Sequence, residues 1–187
     1  MQLLRHCARA TCGGFDILVD LAADGGAAMT DLEEIEAIKR LKYRYIRALD
    51  CKEWADLGAC LATDCRTAYG DGRFSFEGRA AILAFLQESL GAATRISSHR
   101  VHHPEIELTG PTTATGVWAL DDVVIDAAAK LTIRGAAYYR DEYVKIGGEW
   151  KIAETGYRRI YEEMESRTDT PSLALTRNAF AGAGVAP

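Results

Sequence analysis

The chain has 187 residues, a length that suits a single domain with its own hydrophobic core. Hydrophobic residues make up 48% and charged residues 26%, which is typical of a soluble globular protein. The 22 lysines and arginines against 27 aspartates and glutamates leave a net charge of −5, which argues against a nucleic-acid partner. No segment approaches the ~20 apolar residues that a membrane-spanning helix needs.

The cysteines argue against a disulfide framework and against a structural zinc site. There are five of them, an odd number, and no two are spaced as a CxxC pair. They are Cys7, Cys12, Cys51, Cys60 and Cys65. Reduced thiols, some of them buried as small hydrophobic groups, are expected in a cytoplasmic protein.

The N-terminal segment, residues 1–29, does not match the rest of the chain. Thr30 and Glu33 have the spacing of a capping box, which predicts that a helix begins directly after Met29. Two interpretations remain open. Met29 is the biological start, or the segment before it is a genuine N-terminal arm.

The single domain is therefore predicted to span residues 30–165, followed by a C-terminal tail at residues 166–187. The tail is rich in small residues and ends in proline. It is expected to be disordered or to lie across a neighbouring surface. The residues that would hold it there are Leu173, Leu175 and Phe180.

Three helices are predicted, at residues 31–51, 53–62 and 79–90. Apolar residues recur at spacings of three and four in each, which gives every helix one apolar face. In the first helix this face consists of Leu32, Ile35, Ile38, Leu41, Tyr45, Ile46 and Leu49.

Strands follow the helices. Asp71-Gly72 predicts a tight hairpin between two short strands, and Gly147-Gly148 predicts another. Four longer segments are rich in Thr, Val, Ile, Tyr and Trp, namely 95–108, 112–125, 131–145 and 149–162. Three helices followed by an antiparallel meander predict an α+β fold, in which a curved sheet and its helices enclose a pocket for a small molecule.

Two polar residues could meet inside this pocket. Tyr45 lies on the apolar face of the first helix and Asp50 lies at its C-terminal end. Asp50 is either a solvated turn residue or a carboxylate turned inward toward a histidine. His99, on the same strand face as Ser97, is either structural or the partner of that carboxylate. A carboxylate would fix the imidazole tautomer and leave the other nitrogen to take a proton.

The remaining polar candidates carry weaker signals. Tyr69, before the Asp71-Gly72 turn, is either a half-buried aromatic residue or a phenol that donates to a substrate carbonyl. His102 and His103 follow His99, but the three histidines do not present two ligands on one strand face, so no metal site is predicted.

Four segments together resemble SnoaL-like proteins of the NTF2-like superfamily, in the branch that contains scytalone dehydratase and bile-acid 7α-dehydratase. The resemblance covers about residues 31–162. It is carried by YIRALDCKEWADLGACLATDCRTAYGDG, FEGRAAILAFL, SSHRVHHPEIELTGPTTATG and RGAAYYRDEYVKIGGEWKI. It implies an α+β cone, in which a curved antiparallel sheet and three N-terminal helices surround a deep pocket.

The resemblance also implies a set of catalytic residues. Tyr45, Asp50, Tyr69 and His99 occupy the positions that the dehydratases of this branch use. His103 stands where the branch often has asparagine, which makes His103 a candidate for binding the substrate and leaves the identity of that substrate open.

Three further residues are candidates for binding the substrate or a second subunit. An arginine on the last strand acts in some members of the branch, and alternation from Trp150 and Ile152 favours Arg158 over Arg159 as its counterpart. Trp118 is a candidate for contacting the substrate, or for joining Tyr139 in a subunit contact.

The expected function is that of a cofactor-independent dehydratase or isomerase acting on a hydrophobic cyclic carbonyl compound. No cofactor is expected, and the absence of a phosphate-binding glycine motif fits the lack of a nucleotide. No metal is expected either, given the spacing of the histidines. The branch commonly forms trimers or dimers through the convex face of the sheet, so a homo-oligomer is expected. The alternative is a non-catalytic ligand-binding protein or the small subunit of a ring-hydroxylating dioxygenase, because this fold hosts many functions.

Overall fold

The computed structural model describes residues 30–182, so both interpretations of residues 1–29 lie outside the described part of the chain. Within it are three helices and six strands. Among these residues no helix is both long enough and apolar enough to cross a membrane.

The three predicted helices are present as α1 (Asp31–Cys51), α2 (Trp54–Cys60) and α3 (Arg79–Leu90). The predicted capping box is confirmed. The Thr30 backbone N–H donates to the Glu33 carboxylate at 2.7 Å, and the Glu33 N–H donates to the Thr30 hydroxyl at 3.4 Å. The second helix is shorter than predicted, because the chain becomes extended at Leu61.

The six strands form one curved, unclosed sheet. In chain order they are β1 (Leu61–Tyr69), β2 (Phe74–Glu77), β3 (Arg95–Gly110), β4 (Thr113–Asp126), β5 (Leu131–Ile146) and β6 (Glu149–Ser166). Their order across the sheet is β2-β1-β6-β5-β4-β3. The predicted curved antiparallel sheet is present, with one exception: β1 pairs with β6 in parallel. The crossover through α3 and β3–β5 makes this parallel pairing possible.

One face of the sheet packs against α1 and forms the core with it. The buried face of α1 includes the predicted Ile38, Leu41, Tyr45, Ile46 and Leu49. Leu32 is 78% exposed, so its predicted place on that face is wrong. Lys42, which is not among the predicted buried residues, is fully buried in the middle of the same face.

Irregularities in β6 decide which of its side chains point into the core. Trp150 and Ile152 are buried, but Ala153 is an extra residue relative to β5, because Ile152 pairs with Tyr143 and Glu154 with Glu142. Such a bulge shifts the alternation of the strand by one position. From there on, the inward residues are Thr155, Tyr157 and Arg159.

The described part of the tail returns to the body of the same chain. The Asn178 side-chain amide donates to the carbonyl oxygen of Ala93 at 2.9 Å. The Phe180 ring lies under the Lys52 ammonium, 4.6 Å from ring centroid to Nζ. Leu173 and Leu175 remain 42% and 39% exposed, so Phe180 makes the predicted contact more fully than the two leucines do.

Candidate active site

The end of α1 turns Asp50 toward the sheet. Lys52 ends the helix with a left-handed backbone (φ 60°), and its N–H bonds back to the carbonyls of Ala48 and Leu49. The Lys52 ammonium donates to the backbone carbonyls of Leu90 and, at 2.9 Å, Arg95. These contacts hold the last turn of α1 against the start of β3, where His99 lies.

Asp50 and His99 make the expected contact. The Asp50 Oδ1 atom is 2.6 Å from His99 Nδ1 and accepts a bond from the Ser97 hydroxyl at 2.8 Å. Its Oδ2 atom accepts the His99 backbone N–H at 2.7 Å. Because a carboxylate only accepts, the neutral imidazole carries its proton on Nδ1 and leaves the Nε2 lone pair free.

The surroundings keep Asp50 ionised. Burial by itself would raise the pKa of Asp50, but bonds from the His99 ring, its positive charge when protonated, and the bonds from the His99 backbone and Ser97 outweigh burial. The pKa of Asp50 therefore lies below its ordinary value. An ionised Asp50 can stabilise the imidazolium that forms when His99 takes a proton.

Tyr45 and Tyr69 meet inside the cone. Their hydroxyl oxygens are 2.7 Å apart, and either can be the donor. Burial, above all, raises the pKa of both phenols well above the ordinary value, so both remain protonated at neutral pH. In this pair one hydroxyl proton is used in the mutual bond and the other remains available.

A buried ion pair that the sequence analysis did not identify lies beside His99. Asp122 is the partner of His99 in the β3–β4 register. Its carboxylate accepts hydrogen bonds from both terminal nitrogens of Arg159, and the Nη2–Oδ2 distance is 3.0 Å. The strand register that carries Asp122 opposite His99 depends on a bulge after His102, which the sequence pattern did not show.

The Arg159 side chain extends from β6 over Gly135 of β5, which has no side chain, to Asp122 on β4. A Cβ atom added at Gly135 would lie 2.6 Å from Arg159 Nη1 and 2.8 Å from the Tyr161 carbonyl oxygen. The absence of a side chain at this inward position therefore lets the guanidinium reach Asp122.

The prediction that Arg158, rather than Arg159, points inward from the last strand is wrong. The side chain of Arg158 is 88% exposed on the opposite face of the sheet, 3.4 Å from Asp71. There it lines a groove of about 740 Å³ together with Tyr138 and Arg140. The Ala153 bulge explains the difference, because it exchanges the two faces of β6 beyond that residue.

Trp118 and His103 are not beside the Asp50–His99 pair. Trp118 is fully buried and its indole N–H donates to the Tyr143 hydroxyl at 2.8 Å, so its predicted subunit contact is wrong and its polar group is already used. Tyr139, its predicted partner in that contact, is 2% exposed and also faces inward. His103 lies in the β3 bulge with φ 45°, its ring 5.7 Å from that of His102.

A second polar network lies deeper in the cone. The Lys42 ammonium is 2.7 Å from Asp141, and both side chains are fully buried. Asp141 also accepts the hydroxyls of Tyr143 and Thr155, each at 2.7 Å. Burial lowers the pKa of Lys42, and the neighbouring Asp141 opposes that shift. A lysine surrounded by apolar residues in a helix pattern could have signalled this network.

Two chemical functions follow from these contacts. His99 Nε2 can accept a proton, with Asp50 behind it to stabilise the resulting charge. The phenols of Tyr45 and Tyr69 can donate to an oxygen atom. Within residues 30–182, no three His, Cys, Asp or Glu side chains converge as metal ligands would.

Comparisons with known proteins agree with this architecture. A family model for the SnoaL-like domain matches residues 30–156. A candidate scytalone dehydratase from Novosphingobium aromaticivorans superposes with a TM-score of 0.66 and 26% sequence identity, covering 71% of this chain and 88% of that one.

Two other solved structures share the fold at lower identity. Hexachlorocyclohexane dehydrochlorinase LinA-type3 from Novosphingobium barchaimii LL02 has a TM-score of 0.65 and 18% identity, covering 72% of this chain and 92% of that one. A candidate aromatic ring hydroxylase from Novosphingobium aromaticivorans has a TM-score of 0.65 and 15% identity, covering 75% and 98%. At these identities the likeness concerns the fold alone, and it confirms the predicted α+β cone.

Proposed function

The chain belongs to the SnoaL-like domain family, and from that membership and the interior geometry we propose that it is a dehydratase or isomerase. Its substrate is a hydrophobic cyclic carbonyl compound, steroid-like or polyketide-like, and the reaction needs no cofactor. The observation that carries the proposal is the bond between Asp50 and His99, which leaves Nε2 of a neutral imidazole free to act as a base.

The first step is removal of a proton from the carbon next to the substrate carbonyl. His99 Nε2 takes the proton, the electron pair of the broken C–H bond forms the carbon–carbon double bond of an enolate, and the π pair of the carbonyl moves onto its oxygen. Asp50 stabilises the imidazolium, and a phenol of the Tyr45–Tyr69 pair donates to the enolate oxygen.

The second step differs between the two reactions. In a dehydration the enolate re-forms the carbonyl, a carbon–carbon double bond forms, and the β C–O bond breaks while protonated His99 gives its proton to the departing hydroxyl. The product is the substrate less one water. In an isomerisation protonated His99 returns the proton to another carbon of the same conjugated system.

Two findings support this proposal over a passive binding role. The solved structure with 26% identity carries the name of a dehydratase. The four polar residues that the family resemblance implies, Tyr45, Asp50, Tyr69 and His99, occur in this chain as two hydrogen-bonded pairs. A protein that only holds a ligand has no need of a carboxylate to orient a histidine.

The test is turnover of a library of hydroxylated steroids and polyketide ketones, followed by mass spectrometry. A dehydratase yields a product lighter by one water, and an isomerase in deuterated water yields a product that has gained deuterium. Either product should form with the wild-type protein and not with His99→Ala. If library members bind but none changes in mass or takes up deuterium, the protein is a ligand carrier and the proposal is wrong.

A further inference from the structure

We propose that the phenol of Tyr139 is a further catalytic donor, which completes an oxyanion site with the Tyr45–Tyr69 pair and is held in place by the buried ammonium of Lys42. This inference rests on the proposed function, since it names the group that receives the substrate oxygen together with that pair.

An oxyanion site at the Tyr45–Tyr69 pair needs a proton donor from outside the pair. Sites that stabilise an oxyanion generally present more than one donor. The hydroxyls of Tyr45 and Tyr69 are 2.7 Å apart and bonded to each other, so the pair offers one free proton rather than two. A second donor has to come from another residue.

The hydroxyl of Tyr139 is available as a donor. Tyr139 is 2% exposed, yet among residues 30–182 its hydroxyl makes no hydrogen bond to another side chain or backbone group. In the same residues, the side-chain nitrogen and oxygen atoms that are fully enclosed and lack a hydrogen-bond partner are Nε of Arg79 and Nε of Arg159. The Tyr139 oxygen is not one of them, so it is not fully enclosed. The small accessible part of Tyr139 therefore includes its unpartnered oxygen.

Ring contacts connect Tyr139 to Tyr69 through Tyr157. Tyr139 pairs with Tyr157 across β5 and β6, and their ring centroids are 5.6 Å apart. The Tyr157 ring lies 5.8 Å from that of Tyr69. Burial raises the pKa of Tyr139, and repulsion between its ionised form and that of Tyr45 raises it further. The Lys42 ammonium contacts the rings of both Tyr139 and Tyr45, at 3.6 and 5.1 Å from their centroids, so Tyr139 lies next to the pair. It remains a proton donor at neutral pH.

Lys42 accounts for how the ring is held. Its ammonium is 3.6 Å from the centroid of the Tyr139 ring, well within the range of a cation–π contact. The other donors of Lys42 are directed to Asp141 at 2.7 Å and to the Thr155 hydroxyl at 3.5 Å. All three N–H directions of the ammonium are therefore used, and Lys42 is a positioning residue that acts through Tyr139.

The experiment measures binding of 4-nitrophenolate, a stable mimic of an enolate oxygen on a ring, by its absorbance change. Nitrobenzene serves as the matched neutral ligand. Tyr139→Phe should weaken 4-nitrophenolate binding on the order of 10-fold, as expected for loss of one bond to a charged group, and leave nitrobenzene binding unchanged. Tyr138→Phe removes a hydroxyl from the neighbouring residue on the outer face and should leave the binding of both ligands unchanged.

The role of Lys42 is tested by removing the buried pair as a unit, in Lys42→Met with Asp141→Asn, so that neither charge is left alone. In that background Tyr139→Phe should cost less than 3-fold, because the ring is no longer fixed. A full 10-fold cost there would show that Lys42 is only structural. If the double variant does not fold, the comparison of wild type with Tyr139→Phe still decides whether Tyr139 is a donor.

Two results overturn the inference. One is the lack of saturable 4-nitrophenolate binding by the wild-type protein, and the other is an equal affinity of wild type and Tyr139→Phe. Binding of this probe needs no proton abstraction, so it tests the Tyr139 assignment whether or not the protein turns over any substrate. Failure of the proposed reaction is therefore distinguishable from failure of the Tyr139 assignment.

Discussion

At the scale of single residues, the three hydrogen bonds that the Asp50 carboxylate accepts all come from β3. Oδ1 receives the His99 ring and Ser97, and Oδ2 receives the His99 backbone. These bonds fix both the ring orientation and the tautomer of His99. Asparagine at this position has one oxygen instead of two and can present its NH₂ to the ring, which favours the opposite tautomer.

Asp50→Asn should therefore lower kcat by about 10⁴-fold on a substrate identified by the library, the scale seen when a carboxylate behind a catalytic histidine is replaced by an amide. His99→Ala should abolish turnover. His102→Ala is the matched control, since His102 faces Asp121 at 3.3 Å on the other side of β3. Steady-state kinetics measure these effects. Full activity of His99→Ala would exclude His99 as the base.

The lowered pKa of Asp50 predicts how stability depends on pH. Because the folded pKa lies below the unfolded value of about 3.9, Asp50 contributes stability above that pH and loses it as the pH falls through the folded pKa. The difference in melting temperature between wild type and Asp50→Asn should therefore be present at pH 6 and shrink toward pH 2. A difference that grows on acidification would contradict the bonding of an ionised Asp50.

The cysteines give a further check at this scale. Of the three cysteines within residues 30–182, Cys60 and Cys65 have a pKa that burial raises to about 11, whereas Cys51 is exposed. Since only the thiolate reacts with iodoacetamide, labelling of the folded protein at pH 8 should modify Cys51 and leave the other two unmodified. Peptide mass spectrometry after a brief exposure measures this, and labelling in urea should reach all three. Rapid labelling of Cys65 in the folded protein would contradict its buried position.

At the scale of helices and strands, the sequence pattern predicted the elements better than it predicted their faces. The capping box at Thr30, the Asp71-Gly72 turn and the Gly147-Gly148 turn are local signals, and all three occur in the structure. Bulges are not local in this sense, because they depend on how two strands pair. The bulges at Ala153 and after His102 therefore could not be predicted.

These bulges explain which site residues the sequence identified. Asp50 and His99 are placed by a regular helix and by the regular start of a strand, and they meet as expected. Arg159 and Asp122 depend on strand register, and the alternation favoured Arg158 instead. Lys42 was not identified because its burial is made possible by Asp141, which is 99 positions further along the chain.

Gly135 is the element-scale feature that can be tested. Gly135→Ala would place a Cβ atom 2.6 Å from the Arg159 guanidinium and 2.8 Å from a backbone oxygen, both closer than real contacts allow. The guanidinium must move away from Asp122, and the sheet must adjust at Tyr161. We expect a loss of about 1–3 kcal/mol in the free energy of unfolding, the usual cost of overpacking. Turnover should also fall, because displacing Arg159 leaves Asp122, the register partner of His99, without its ion pair.

Arg159→Ala supplies the control for this prediction. In that background Gly135→Ala should still lower the melting temperature, because the Tyr161 carbonyl remains, but it should no longer reduce turnover. Thermal denaturation and kinetics on the four proteins measure the two effects separately. An undiminished effect of Gly135→Ala on turnover without Arg159 would show that the glycine does not act through the arginine.

At the scale of the whole molecule, a subunit contact would need exposed residues other than the two that the sequence suggested. Trp118 and Tyr139 face the interior, but the outer face of the sheet carries Tyr138, Ile160 and Tyr161, which are 49%, 63% and 52% exposed. Tyr138 is opposite in direction to the inward Tyr139, and Ile160 and Tyr161 follow the inward Arg159 at a second bulge in β6. Three large apolar side chains on adjacent strands are more than the scattered exposure that a monomer normally shows.

We therefore expect this outer face to join two or three copies of the chain. Light scattering at micromolar concentration should give a multiple of the chain mass of 20.4 kDa. Ile160→Asp should reduce the mass to that of one chain, because a carboxylate in the contact would lose its water without gaining a partner. Met164→Asp is the matched control, since Met164 is 60% exposed but lies on the inner side of β6, opposite Ile133 in the register. A wild-type mass of 20.4 kDa would exclude a stable oligomer, and an oligomer unaffected by Ile160→Asp would place its contact elsewhere.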